Sequence, residues 1–378
     1  MPLEPPYCLI EDREAGETLL FAEPRAIVAA HRAEEVAGAF AALQRAVGEG
    51  FFVAGSVAYE CGYALEPRLA PLLRSCSGKP LLLFGVFDAP RPAPSLAPAG
   101  AAAIEALAPV WTFAEYEKRF AACRDYIAAG DVYQINLTFP LAGAWRGTPL
   151  DLYRILRARQ PVELGGIVAL GAETILSVSP EIFFSTRGER IFARPMKGTA
   201  RRGATPEADR ALAEALASDE KNRAENLMIV DLLRSDISRL SEIGSVQVTD
   251  LFSVATFPTL HQMTSGVEAR LRPGLSFSEI FAGLFPCGSV TGAPKIRAME
   301  IIAELETAPR ENYCGAIGYV APGGDMRFNV AIRTLTLGRD RRLTCPVGSA
   351  VVADSRAREE YDECLLKARF LTGETISG

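Results

Sequence analysis

In the stretch RPMKGTARRG, from Arg194 to Gly203, a single lysine stands between a strand-like run and a pair of small residues. The strand pattern runs up to Phe192, and Gly198-Thr199 reads as a turn, so Lys197 is either a solvated charge at a strand end or an amine that the turn aims. As a nucleophile it would have to lose its proton, through burial or a neighbouring cation, because a free lysine titrates near about pH 10.4. Carboxylates form the second group of candidates. In DEKNRAENLMIVDLLRSDISRL, Asp219 to Leu240, helical spacing puts Glu225 on the face of Met228, Ile229 and Leu232. A carboxylate on an apolar side has to be paired, hydrogen-bonded or bound to a metal, and a salt bridge to Arg223 or Arg234 is the plain alternative. In SRAREEYDECLLKARF, Glu360 and Glu363 share one helical face. They call either for a cation between them, shared with Glu225, or for a solvated acidic face answered by Lys367.

Two glycine-containing stretches and two single residues complete the set. PCGSVTGAPKIRAMEII runs from a Gly-rich loop into a helix with Pro294 in its first turn, a start that offers free N–H groups to an anion. It is not a Walker A loop, since a proline precedes Lys295 and no Ser or Thr follows it; a plain C-cap followed by an N-cap explains it equally well. CPVGSAVVADS has small residues that let backbone N–H groups approach a ligand. Arg333, in FNVAIRTL, is a charge in an alternating strand pattern whose fork suits a carboxylate. His261, in PTLHQMTS, is one of two histidines and reads equally as a structural residue.

The elements that must position these residues follow from periodicity. Helices are predicted over EEVAGAFAALQRAV, over TFAEYEKRFAACRDYIAAGD with a stop at Gly130, and at Pro206 to Ser218, about Glu220 to Leu240, Ser276 to Leu284, Pro294 to Leu305 and Ser355 to Leu371. Strands are predicted at GFFVAGSVAYE, KPLLLFGVFD, VYQINLTFPLAGAW, 165–196, 313–337 and 342–354, with hairpin turns at Gly323-Gly324 and around Arg339 to Arg342. Antiparallel strand runs with helices in blocks give an α+β class. The Pro- and Ala-dense stretch beginning at Asp88 reads as a connection; it sets an N-terminal subregion (1–95), packed on the main body, apart from a linker (96–111) and a catalytic domain (112–378).

Composition narrows the chemistry. The chain has 378 residues, 49% of them hydrophobic, and a net charge of −6, so it has no general basic field for nucleic acid. No apolar run is long enough to span a bilayer, and the first residues carry acids and prolines where a signal peptide has a basic start, so no membrane association and a cytoplasmic location are expected. The eight cysteines, Cys76 among them, show no CxxC pair, which argues against a zinc ribbon or a disulfide framework. With two histidines, any metal falls to carboxylates, which favours a hard cation such as Mg²⁺.

Taken in order, GDVYQINLT, SPEIFF, RPMKGT, AENLMIVDLLRSD, GSVTGAPK, FNVAIRTL and ADSRAREEYDE resemble the chorismate-binding enzyme family, whose members include anthranilate, aminodeoxychorismate, isochorismate and salicylate synthases. The resemblance implies a largely antiparallel two-sheet β-sandwich flanked by helices. It implies chorismate as substrate and Mg²⁺ held by Glu225, Glu363 and Glu360, the last directly or through water. It further implies that Arg333 and the backbone of Gly348, Ser349 and Ala350 hold the pyruvyl carboxylate, with Tyr319 nearby, and that Gly198, Thr199, Thr291, Gly292 and Lys367 line the substrate. His261 matches the histidine beside the departing C4 hydroxyl, and Glu181 the acid–base glutamate. Where the family has Gly-Ala-Gly or Gly-Gly-Gly, this chain has Gly348-Ser349-Ala350, so Ala350 is expected to take a backbone conformation usual for glycine.

The Pro-Met-Lys-Gly tetrad is similar to that of the aminodeoxychorismate branch, whereas the anthranilate, isochorismate and salicylate branches have alanine at the lysine position. The resemblance therefore implies that Lys197 adds to C2 of chorismate as the C4 hydroxyl leaves, and that ammonia from a separate glutaminase subunit displaces the adduct at C4. Neither Cys287 nor Cys314 has a glutaminase-like setting. An anthranilate synthase component is the nearest alternative, and a non-catalytic ligand-binding protein the alternative from another class.

Overall fold

The computed structural model describes residues 3–73, 78–98, 100–160, 162–256 and 260–374, so Cys76 lies outside the described residues. In chain order the N-terminal part forms β1 (Tyr7–Asp12), β2 (Glu17–Ala22), β3 (Ala26–Ala30), α1 (Ala33–Gly48), β4 (Phe52–Val57), α2 (Cys61–Leu65), β5 (Leu82–Phe87) and β6 (Arg91–Pro92). The middle comprises β7 (Ala103–Pro109), α3 (Phe113–Ala128), β8 (Gln134–Arg146), α4 (Pro149–Arg159), β9 (Leu164–Ala169), β10 (Thr174–Ser177), β11 (Ile182–Arg187), β12 (Arg190–Ala193) and β13 (Met196–Arg201). There follow α5 (Pro206–Ser218), α6 (Glu220–Ser238), β14 (Gln247–Thr256), β15 (Leu260–Arg270), α7 (Phe277–Leu284), β16 (Gly292–Ala293) and α8 (Lys295–Leu305). Last come β17 (Ala316–Val320), β18 (Met326–Val330), β19 (Thr334–Leu337), β20 (Arg342–Val351), α9 (Ala357–Lys367) and α10 (Arg369–Thr372).

The strands make two antiparallel sheets, in the orders β16-β8-β20-β19-β10-β9-β1-β2-β6 and β13-β15-β12-β11-β18-β17-β4-β5-β3, with β7 joined to β8 and β14 to β15. The α+β class and the two-sheet core expected from the sequence are what the chain adopts. Alternation along the strands divides the core. Cys8 and Ile10 face a cluster between the sheets with Phe21, Phe87, Val168 and Ile317, while Tyr7 and Leu9 face the helix-covered side. On the outer face of the second sheet, Phe281 of α7 meets Phe328 at 5.1 Å and Phe184 at 5.6 Å between ring centroids. Such aromatic pairs add about 0.5–1.5 kcal/mol each beyond the area they bury.

The structure differs from the sequence reading in several places. Residues 1–95 do not merely pack on the body, because β1 and β2 continue one sheet through β9, and β3, β4 and β5 continue the other through β17. Within the expected linker, Ala103–Pro109 is a strand; its partner β8 offers a backbone edge that even an Ala-rich segment can pair with, since pairing uses main-chain groups. The β14–β15 hairpin and α4 have no predicted counterpart. Gly198-Thr199 is not a turn: both lie inside β13, whose register against β15 jumps from Met196↔Thr264 to Thr199↔Gln262. That jump inserts one extra residue, a β-bulge, and Gly198 at φ +81° supplies the left-handed conformation it needs. Arg333 is not inside a strand either, but sits at φ +49° between β18 and β19. Ala350 needs no glycine-like backbone, because it lies in β20 opposite Asn136 and is absent from the positive-φ residues.

Candidate active site

Glu181 begins the site. Its N–H bonds Ser179 Oγ at 3.2 Å and its carbonyl accepts from Val330 N at 3.0 Å, which fixes the residue at the mouth of β11. The carboxyl is buried, and Ser289 Oγ donates to Oε1 at 2.9 Å. Burial pushes Glu181 up to about 7, against the opposing pull of Ser289, Lys197 and Arg333. A carboxyl poised there can give or take a proton near neutrality.

Lys197 occupies the bulge of β13, half-buried, with its neighbour Gly198 tied by its carbonyl to Gln262 Nε2 at 2.8 Å. Met196 lines a groove that Lys197 does not, as expected of neighbouring side chains on a pleated strand. Burial lowers the Lys197 amine, as does the charge of Lys367, while Glu181, Glu225 and Glu363 pull the other way. A lysine so placed holds a larger share of free amine than an exposed one. The Arg333 guanidinium has no hydrogen-bond or ion-pair partner among the described residues, while its carbonyl accepts from Val178 N at 3.1 Å; burial brings the side chain down to about 10, offset by Tyr313 and Glu181. It stays cationic at neutral pH and presents an unused fork to an anion.

The acidic residues approach from two helices. Asp219 caps α6 by accepting from Asn222 N at 2.8 Å, and the buried face of that helix carries Asn226, Ile229, Val230 and Leu233, leaving Glu225 at the margin. Neither arginine first considered for Glu225 pairs with it: Arg234 bonds Asp231 at 2.7 Å, and Arg223 lies over the Phe252 ring at 4.6 Å. On α9, Lys367 Nζ bridges Glu363 at 2.7 Å and the carbonyl of Gly348 at 3.0 Å. Burial pushes Glu363 up, but Lys367 outweighs it and the carboxyl sits below its ordinary value. Glu360 accepts from Ser355 Oγ at 2.7 Å, and burial raises it. As a donor set, three carboxylates suit a hard cation. Among the described residues they do not converge on one point: Lys367 answers Glu363 and Ser355 answers Glu360.

Two expected members lie elsewhere. Tyr319 donates to Asp12 Oδ2 at 3.4 Å and packs against Phe21 in the cluster between the sheets; the tyrosine beside Arg333 is Tyr313. Strand alternation decides this, since Tyr319 faces inward from β17. His261 is buried with both nitrogens engaged, Nδ1 on Thr256 at 3.0 Å and Nε2 on Asp209 at 2.9 Å, which ties β15 to α5. Arg202 holds that aspartate well below the usual carboxylate range.

The Gly-rich loop is built differently from an anion cradle. Thr291 Oγ1 turns back onto the carbonyls of Cys287 and Gly288, Asn136 N bonds the Thr291 carbonyl, and Gly292 pairs with Ile135. At Gly288 a Cβ would come 2.2 Å from Leu232 of α6, so the glycine allows close packing there. Ser289 is the loop's contribution to the site, and the sequence reading missed it; its small polar side chain in PCGSVTG was the available signal. Near Lys367, Gly348 and Ser349 lie on β20, whose side away from β8 pairs with β19 only at Leu343 and Thr344. The free edge beyond is where Lys367 finds the Gly348 carbonyl.

A profile described as chorismate binding enzyme matches residues 5–373. Over 249 residues the chain is 43% identical to the aminodeoxychorismate synthase component 1 of Klebsiella aerogenes, a match covering 66% of this chain and 55% of that one. Over 261 residues it is 39% identical to the anthranilate synthase component 1 of Aquifex aeolicus, covering 69% of this chain and 53% of the relative. The chain thus spans about half the length of these curated relatives. The crystal structure of anthranilate synthase component I from Streptococcus pneumoniae is similar with a TM-score of 0.80 at 28% identity, over 98% of this chain and 93% of that one.

Proposed function

The chain belongs to the chorismate-binding enzyme family, and from that premise we propose that it converts chorismate and ammonia to 4-amino-4-deoxychorismate. The observation that carries this reading is the amine of Lys197, lowered by burial and set among Glu181, Glu225 and Glu363. An alanine there would leave no nucleophile.

In the proposed sequence the free amine of Lys197 bonds to C2 of the ring. The C1=C2 pair moves to C1=C6, the C5=C6 pair to C4=C5, and the C4 hydroxyl departs. Glu181, protonated near neutrality, gives its proton to that hydroxyl as water leaves, then takes one from the new secondary ammonium. Ammonia bonds to C4, the C4=C5 pair returns to C5=C6 and the C1=C6 pair to C1=C2, and Lys197 leaves C2 as the free amine, its nitrogen taking back the proton held by Glu181, which then recovers one from the new C4 ammonium. Arg333 takes the pyruvyl carboxylate with its free fork, and the backbone of Gly348 and Ser349 is assigned to the same carboxylate. Glu225, Glu360 and Glu363 would hold a Mg²⁺, which would supply positive charge to the ring carboxylate.

Ammonia comes from a partner glutaminase in this reading. Burial pushes the thiols of Cys287 and Cys314 up to about 12, which suits neither to a glutaminase thiolate. An anthranilate synthase reading has its own support in the relatives that carry that name.

The test is to incubate the purified protein with chorismate, Mg²⁺ and an ammonium salt and identify the product. Aminodeoxychorismate is expected, with its formation lost or slowed by orders of magnitude in Lys197→Ala. Anthranilate as the wild-type product would overturn the assignment, and full activity of Lys197→Ala would overturn the covalent step.

A further inference from the structure

The Gly-rich loop places a hydroxyl and a thiol in series behind Glu181. Ser289 Oγ donates to Glu181 Oε1 at 2.9 Å, and Cys287 Sγ lies 3.2 Å from the same Oγ. All three side chains are buried. Nothing in the proposed amination uses either loop residue directly. We infer that Ser289, oriented by Cys287, is the positioning residue that sets the protonation state of Glu181. The inference rests on the reading of Glu181 as the acid–base group.

A serine hydroxyl has one proton and can also accept, so it satisfies a carboxyl in both of its states. When Glu181 is a carboxylate, the thiol donates to Ser289 Oγ and the hydroxyl donates to Oε1. When Glu181 is protonated, the polarity reverses, Glu181 donating to Ser289 and Ser289 to sulfur. The thiol keeps its proton in either case, because burial and the neighbouring Glu181 hold Cys287 up at about 12. A fixed donor without a lone pair, such as a lysine, could serve only the charged state.

The loop is built to keep this geometry while Glu181 titrates. Arg310 Nη1 holds the Val290 carbonyl at 2.8 Å, one residue past Ser289. Thr291 Oγ1 closes onto the carbonyls of Cys287 and Gly288, and Lys295 Nζ holds the Leu284 carbonyl at 2.8 Å, with Asp236 of α6 at 2.5 Å on the same amine. The other charged or titratable groups acting on Glu181 are Lys197 from β13, Arg333 from the β18–β19 connection and Cys287 from the loop itself. Both cations favour the carboxylate, but neither bonds it, so the Ser289 hydroxyl is its one hydrogen-bond donor among the described residues.

The test is the pH dependence of kcat/KM for chorismate amination in Ser289→Ala, Ser289→Thr and Cys287→Ala. Losing a hydrogen bond to a charged group should raise the limb that reports Glu181, the one near neutrality in the parent, by about one pH unit in Ser289→Ala, with the other limb little moved. Ser289→Thr, which keeps the hydroxyl, is expected to bring the limb back, and Cys287→Ala to move it part of the way up. A uniform loss of rate in Ser289→Ala at every pH, with both limbs in place, would overturn the inference and leave Ser289 a packing residue. Glu181→Gln separates this from failure of the functional reading: if that variant keeps the wild-type profile, Glu181 is not the acid–base group and both proposals fall.

Discussion

The bulge that carries Lys197 makes Gly198→Ala an informative perturbation. At φ +81° an alanine costs roughly 1–2 kcal/mol in backbone strain. Its Cβ would also stand 2.7 Å from Asn222 Oδ1 and 2.9 Å from Asn222 Cγ. That side chain is not free to swing, since its Nδ2 donates to Asp219 Oδ1 at 2.8 Å beside the α6 cap, and giving up the bond costs about another 1 kcal/mol. The alternative is for the bulge to flatten, which turns Lys197 away from Glu181. Either way the variant should lose roughly 2–3 kcal/mol by urea denaturation. If the amine moves by about 1 Å, kcat should fall on the order of 100-fold, with KM changed much less. Adding Asn222→Ala removes the clash but not the strain, so the double variant should recover part of the stability and little of the rate. A Gly198→Ala protein within about 0.5 kcal/mol of the parent, with kcat intact, would refute the claim that the left-handed glycine aims the lysine.

Arg333→Ala should raise KM for chorismate by about tenfold or more while leaving the urea midpoint close to that of the parent, because the side chain has no internal partner to forfeit. A large fall in stability would show that it is structural instead. Arg310 is the opposite case: it is buried, bonded to Glu306 Oε1 at 2.6 Å and Oε2 at 2.8 Å and to the Val290 and Asn136 carbonyls, and stacked on Tyr59. Arg310→Met leaves Glu306 buried beside Thr138 without its cation and should cost about 3–5 kcal/mol in a denaturation series.

Much of this protein is legible without coordinates. The helices from Pro206 to Leu305 and the hairpin at Gly323-Gly324 follow from local periodicity and turn chemistry, which depend on residues a few positions apart. The ordered motifs around Glu181, Lys197, Glu225, Arg333 and Glu363 give the chemistry, because its residue types and their order are written in the chain. What the sequence could not decide is set by contacts between distant segments. Ala103–Pro109 becomes a strand only because β8 offers it an edge, and Gly198 forms a bulge instead of a turn only because β15 continues alongside. Tyr319 leaves the expected site and Tyr313 stands beside Arg333 because the pleat of β17 turns Tyr319 inward between the sheets. The tertiary structure likewise brings Ser289 onto Glu181 across 108 residues of chain, and it is burial there that moves the carboxyl toward neutrality. A spacing pattern records which side chains share a face, whereas desolvation and charge coupling exist only once the two sheets and their helices have closed around them.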